Sequence, residues 1–169
     1  MAAPLVTLTF DDERSGSFQD SCGVPGGITV QWHRVEKGSV QLIPRGPDQL
    51  PYAHGAFQGS TTYTNAATGD AFTFAWRSVD QDLRLVDNGD GTTTALIQVA
   101  GNRSVYVDGR RVAGGTGTHW DEVLVDNGGT PTDPSDDEFV EVLATVKDTG
   151  LNETATGGFD PCAVLTGSA

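Results

Sequence analysis

AFTFAWRSVDQDLRLVDNGDGTTTALIQVAGNRSVYVDG, residues 71–109, is the stretch that decides the fold class. Its apolar residues recur at every second position: Phe72, Phe74 and Trp76, then Ala95, Ile97 and Val99, then Val105 and Val107. A period of two lines them along one face of a pleated strand, whereas a helix repeats its apolar face every three or four residues. Between these runs stand residues that tolerate left-handed backbone: Asp87 to Gly91, Ala100-Gly101-Asn102, and Asp108-Gly109. Asp-Gly between two alternating runs is a strong hairpin signal, because a type I′ turn needs positive φ at both central residues.

The same pattern extends outward. Val6, Leu8 and Phe10 alternate, as do Ile28, Val30 and Trp32, and the Asn-Ala-Ala-Thr-Gly stretch from Asn65 marks another turn. We therefore expect an all-β fold: one domain over residues 1–169, a meander of about 8–10 short strands, closed into an up-and-down, lipocalin-like barrel or stacked as a sandwich. The length, 169 residues, suits one domain that buries roughly 70% of the surface its unfolded chain exposes.

The pentapeptide Leu-Val-Asp-Asn-Gly occurs at Leu85 and again at Leu124. At the first site it reads as a hairpin connection rather than a calcium loop. An EF-hand would place an acid eleven residues after Asp87, where Gln98 stands. The second copy opens a longer loop with Asp126, Asp133, Asp136, Asp137 and Glu138. Its primary reading is a solvated loop stiffened by Pro131 and Pro134; the weaker one is a hard-cation site built from Asp133, Asp136, Asp137 and Glu138. The copies diverge beyond the pentapeptide, so no repeat architecture is implied.

Residues 135–149 admit two readings. Ser135 and Glu138 form a capping-box pattern, and Phe139, Val142, Leu143 and Val146 are spaced as on a helix. Val140, Val142, Ala144 and Val146 also alternate and are mostly β-branched, which favours a strand among strand neighbours.

Charge and cysteine content narrow the function classes. The formal charge is −13, with 10 basic against 23 acidic residues, which argues against binding a phosphate backbone and so against nucleic acid. No apolar run is long enough to insert in a membrane as a helix. Cys22 and Cys162 have no second Cys or His at metal-ligand spacing, so zinc is not expected. We expect them to be bonded, with two buried free thiols as the alternative. A bond implies an oxidising compartment, although the N-terminal MAAPLVTLTF lacks the basic start and apolar core of a signal peptide. Met1 then reads as a start added to a mature secreted sequence. The rival is an intracellular or virion protein with its native Met1.

Three histidines, His33, His54 and His119, lie outside any recognisable nucleophile or metal motif. Thr-His-Trp-Asp-Glu is the most suggestive cluster: His119, Asp121 and Glu122 offer an acid and a base, and alternation puts His119 and Asp121 on one face with Trp120 and Glu122 on the other. Surface or rim placement is the plainer reading. Trp32, Phe72, Phe74 and Trp76 would project into a barrel lumen, either packing it or lining a cavity near its ends.

Asp-Ser-Cys-Gly at residues 20–23, Ser-Thr-Thr-Tyr-Thr-Asn-Ala-Ala-Thr-Gly-Asp-Ala-Phe-Thr-Phe at 60–74 and Phe-Asp-Pro-Cys-Ala-Val-Leu at 159–165 together resemble small secreted β-proteins of actinobacteria. The resemblance implies secretion and a barrel and supplies no catalytic residues. The resulting expectation is a secreted, non-enzymatic protein, without cofactor, that binds a small apolar molecule or a protein partner. Alternatives are a cyclase-like barrel enzyme and a structural or decoration subunit of a virion-type or other extracellular assembly.

Overall fold

The computed structural model describes residues 6–152 and 158–168. Seven strands form a single antiparallel sheet in sequence order: β1 (Val6–Asp20), β2 (Ile28–Arg45), β3 (Leu50–Asn65), β4 (Ala71–Asp87), β5 (Thr92–Val107), β6 (Arg110–Asp126) and β7 (Glu138–Asn152). One short helix follows, α1 (Pro161–Leu165). The all-β class and the meander are as the alternation requires.

Two expectations need correction, and one open reading is resolved. The described strands number seven because Ala100-Gly101-Asn102 does not turn the chain; it lies inside the unbroken 16-residue β5. Gly101 sits where a Cβ would collide with the Arg77 carbonyl of β4, so its missing side chain admits a close approach of neighbouring strands rather than a reversal. Of the two readings of residues 135–149, the favoured strand is the one found: residues 138–152 form β7, and Glu138 opens it instead of capping a helix. The sheet is also not closed: β1 pairs with β2 and β7 with β6, and among the described residues neither edge strand has a second partner. An antiparallel meander with an odd number of strands brings its first and last strands to the same direction, so closure here would need a parallel β1–β7 ladder, which such a connectivity does not otherwise use.

Cross-strand register divides the side chains between two faces. One row runs Gly16–Trp32–Tyr63–Phe72, the next Arg14–Arg34–Thr61–Phe74–Val105–Ala113, and a third Asp12–Glu36–Gly59–Trp76–Arg103–Gly115. This face carries the buried Val30, Phe72, Val105, Ala113, Ala95 and Val123, and we call it inner. The other face is mostly Thr, Ser, Gln and Asn: one of its rows is Ser15–His33–Thr62–Thr73–Tyr106. The best-buried cluster joins Val30, Phe72, Val105 and Ala113 to Leu165 of α1, which covers one end of the inner face. Burying each such Val, Leu or Phe side chain contributes about 1.5–3 kcal/mol.

Helix α1 is fixed at both ends. Asp160 caps it, accepting from the backbone N–H of Cys162 at 2.9 Å and of Ala163 at 3.2 Å, with Pro161 in the first turn, where its missing N–H costs nothing. The buried Asn65 donates from Nδ2 to the Leu165 carbonyl at 2.8 Å. Cys22 and Cys162 are disulfide-bonded across 140 residues of sequence, tying the β1–β2 connection to the helix. The chain-entropy model gives a cross-link of that span about 5 kcal/mol of stabilisation.

The repeated pentapeptide proves to be one turn used twice. In the first copy Asp87 Oδ1 accepts from the Gly89 N–H at 2.9 Å; in the second Asp126 Oδ1 accepts from the Gly128 N–H at 2.9 Å. Asp108 and Gly109, with φ of 48° and 75°, form the tight β5–β6 hairpin expected of Asp-Gly.

Candidate functional site

The four aromatic residues singled out in the sequence share the inner face. Phe72 is buried against Tyr63, whose ring stacks on it at 5.0 Å, and against Phe159 in an edge contact at 5.1 Å. Phe74, Trp32 and Trp76 are half-buried. Each indole lies across a glycine of the neighbouring strand: a Cβ on Gly16 would meet the Trp32 ring at 2.9 Å, and one on Gly59 the Trp76 ring at 2.6 Å. Trp32 is in the row beside the helix-capped end, while Trp76 lies two rows further along the strands, away from either end. The Arg34 guanidinium sits 4.9 Å over the Trp76 ring and donates to Glu36 at 2.5 Å, so that its charge is balanced while it lies against the indole.

Beyond Trp76 the next row reads Phe10–Gly38–Phe57–Ser78–Gly101–Gly117–Gly150. From β4 to β7 this row offers one serine and three glycines. A Cβ on Gly117 would stand 2.5 Å from the Thr149 carbonyl, so the strands themselves require the absence of side chains there. The result is a depression of about 400 Å³ with Phe74, Trp76 and Arg103 on one side and Val99, His119 and Asp148 on the other.

Carboxylates gather along its far side. Asp80, Val99, His119 and Asp148 form one row of the sheet. Burial pushes the Asp80 carboxyl up, opposed by the Ser78 hydroxyl and by His119, and its Oδ1 is enclosed without a hydrogen-bond partner. Asp82, two residues on, replaces a missing backbone partner. The β3–β4 ladder stops at the His54–Gln81 pair, just before the register of β4 on β5 shifts at Asp82–Arg84, and Asp82 Oδ2 accepts from the Ala53 N–H at 2.7 Å. Burial pushes its carboxyl up to about 6, against the pull of that hydrogen bond and of Arg45. Tyr52 Oη fills the other half of the gap by accepting from the Leu85 N–H at 3.1 Å.

Matched against family models, curated proteins and solved structures, the chain finds no counterpart. The site is therefore read from its own residues.

The His119 cluster divides between faces as alternation requires. His119 and Asp121 are inward, with Nε2 and Oδ2 3.7 Å apart, and Asp121 also accepts from Thr145 Oγ1 at 2.8 Å. Glu122 is outward and bound to Arg84 at 2.5 Å; Trp120, also outward, has the Lys147 ammonium 4.7 Å over its ring. The structure thus joins His119 to the row of Asp80, on the same face as Trp76, rather than to Glu122. The loop acids do not assemble around a common point. Asp133 accepts from the Ser135 N–H at 3.1 Å, Asp136 accepts from Thr130 Oγ1 at 2.9 Å, and Glu138 has entered β7. Burial and the neighbouring Asp136, Asp133 and Asp126 charges push the Asp137 carboxyl up. Among the described residues the one grouping with metal-ligand spacing is Asp20 with Cys22 and Cys162, and both sulfurs are spent in the disulfide.

Asp80, Asp82 and Arg34 were not singled out in the sequence. Parity held the signal: both aspartates continue the Phe72, Phe74, Trp76 alternation and so fall on the apolar face, where a carboxylate is out of place.

Proposed function

We propose that the inner trough binds a small ligand with a flat apolar body, held between Phe74 and Trp76 on one side and Val99 and His119 on the other. The observation that carries this is the depression itself: half-buried aromatic rings face a stretch of one serine and three glycines, and polar groups converge on the far side. The architecture is an open, barrel-like meander rather than a sandwich, and the ligand enters from the uncovered side of the sheet. The disulfide supports a secreted or otherwise oxidising location, in keeping with the resemblance to small secreted actinobacterial β-proteins. Cyclase-type catalysis is less favoured, because a trough bordered by free edges does not exclude water from a reactive intermediate.

Titration with N-phenyl-1-naphthylamine, a neutral apolar fluorophore, tests the reading. A blue-shifted emission that saturates, with affinity reduced at least tenfold by Val99→Asp and the protein signal lost in Trp76→Phe, is the expected outcome. No saturable response in the folded protein, or equal affinity in all three proteins, rejects it.

A second reading, attachment to a protein partner or assembly, rests on β1. This edge pairs residue for residue with β2 over all 15 positions and leaves Leu8 57% and Phe18 42% exposed, whereas β7 is broken by three register shifts that discourage pairing. Light scattering after size exclusion distinguishes it: association abolished by Leu8→Lys supports it, and a monomer at all concentrations leaves the trough as the preferred reading.

A further inference from the structure

A cavity of about 590 Å³ lies on the opposite, polar face. Its floor is the outward row Val35–Ser60–Ala75–Ser104, whose short side chains make a channel running across the strands. On one side stands the row Lys37–Gln58–Arg77–Asn102, preceded by Asp11 on β1; on the other, two residues further along the strands in the opposite direction, stands Tyr106. Rows four residues apart along a strand are separated by about 13 Å, wide enough for a ring lying between them.

The side chains of Lys37, Gln58, Arg77 and Asn102 have no internal hydrogen-bond or ion-pair partner among the described residues, although neighbouring polar residues do: His33 is held by Glu13 at 2.7 Å and Thr62 by Thr73 at 2.9 Å. The groove therefore offers two amides, each donor and acceptor, the hydroxyls of Ser60, Ser104 and Tyr106, and one aromatic face. Its charge is close to balanced, with Lys37 and Arg77 against Asp11, and with the nearby Glu36 already bound to Arg34. Balance matters in a chain of net charge −13, because a groove for a phosphate or polyanion would be basic and one for a cation acidic.

We propose that this groove is a second binding site, on the face opposite the trough, for a neutral oligosaccharide. A sugar hydroxyl donates and accepts at once, as do the Gln58 and Asn102 amides, while the C–H face of a pyranose packs on an aromatic ring such as Tyr106. An uncharged chain laid across β2 to β5 reaches these groups, and the Ser104 hydroxyl, which already accepts from Arg111 Nε at 3.3 Å, keeps its proton to donate. Trp76, Arg77 and Asn102 border both this groove and the trough, which lie on opposite sides of the same strands.

Isothermal titration with soluble hexamers of β-1,4-linked glucose, α-1,4-linked glucose, β-1,4-linked mannose and β-1,4-linked N-acetylglucosamine tests this. Oligogalacturonate and a Gly-Ser hexapeptide serve as charged and peptide comparisons. At least one neutral hexamer should bind, the double variant Gln58→Ala/Asn102→Ala should lose at least tenfold in affinity with its melting temperature retained, and Gln98→Ala, on the same face but outside the groove, should bind as the parent does. The inference fails if no neutral hexamer binds at millimolar concentration, if the double variant binds unchanged, or if only the galacturonate or the peptide responds. Should the double variant prove unstable, Asn102→Asp substitutes: it keeps the side-chain shape but removes the donor, and the same tenfold loss is required of it.

Discussion

Replacing Asp82 by Asn should stabilise this protein at neutral pH. The carboxyl is pushed from 3.8 to about 6 by burial, so the folded state binds a proton more tightly than the unfolded chain does. Stability is then greatest below pH 4, falls as pH rises towards 6, and is flat above, because the slope follows the difference in protons bound by the two states. At 1.36 kcal/mol for each unit of pKa, the ionised form costs the fold about 3 kcal/mol at pH 7. Asparagine keeps the acceptor that receives the Ala53 N–H at 2.7 Å and removes the charge. Its amide protons need partners in the gap between β3 and β4, which returns about 1 kcal/mol or more of the gain. We therefore expect a net increase of about 1–2 kcal/mol at pH 7, near 2–8 °C in Tm for a chain of this size. The assay is urea denaturation of both proteins from pH 4 to pH 7.5. Because many other acids titrate in that window, the quantity to read is the difference between the two curves. It should favour the variant at pH 7 and vanish or reverse by pH 4. Parallel curves, or a variant weaker at pH 7 than at pH 4, would refute the reasoning and imply that Arg45 holds the carboxylate charged.

Three further outcomes are expected. Titration of the unreduced, denatured protein finds no free thiol at Cys22 or Cys162, and reduction lowers the unfolding free energy by up to about 5 kcal/mol in urea melts. Gly101→Ala, whose new Cβ would press on the Arg77 carbonyl, costs about 1–3 kcal/mol by the same measurement, as an overpacked site does. Asn127 is fully buried and donates to Thr93 Oγ1 at 2.9 Å, so Asn127→Ala destabilises by about 1–3 kcal/mol; the exposed equivalent Asn88→Ala stays within about 1 kcal/mol, and equal effects would show that the two turns are supported alike.

That last contrast marks the boundary of what local sequence discloses. Both copies of Leu-Val-Asp-Asn-Gly make the same Asp-to-Gly hydrogen bond, because that bond depends on residues two apart. Whether the asparagine beside it is buried depends on where the chain goes next. After Asn88 it returns at once through Thr92, whereas after Asn127 it makes a ten-residue excursion, 128–137, before β7 begins, and the Asn127 side chain is directed to Thr93 on β5. Gly101 illustrates the same boundary. Glycine followed by asparagine satisfies every local rule for a turn, and only the position of Arg77 on the next strand reveals that the glycine serves proximity instead. That single misreading divides one strand into two, changes the parity of the strand count, and with it the expectation of a closed barrel.

The face assignments, by contrast, were legible because pleat alternation is a property of the covalent chain. Phe72, Phe74 and Trp76 fall inward together, and His119 and Asp121 separate from Trp120 and Glu122, without any knowledge of the neighbouring strands. Carried four and six residues beyond Trp76, the same parity places Asp80 and Asp82 on the face of the aromatics. A strand that keeps its inward alternation while changing from aromatic to acidic must put carboxylates where solvent is scarce, and the raised carboxyls of both residues are the physical consequence. The apolar-to-acidic transition along β4 is therefore the feature that sets the aromatic side of the trough against its polar side. A ligand lying across it would meet Trp76 at one end and the Asp80–His119 row at the other.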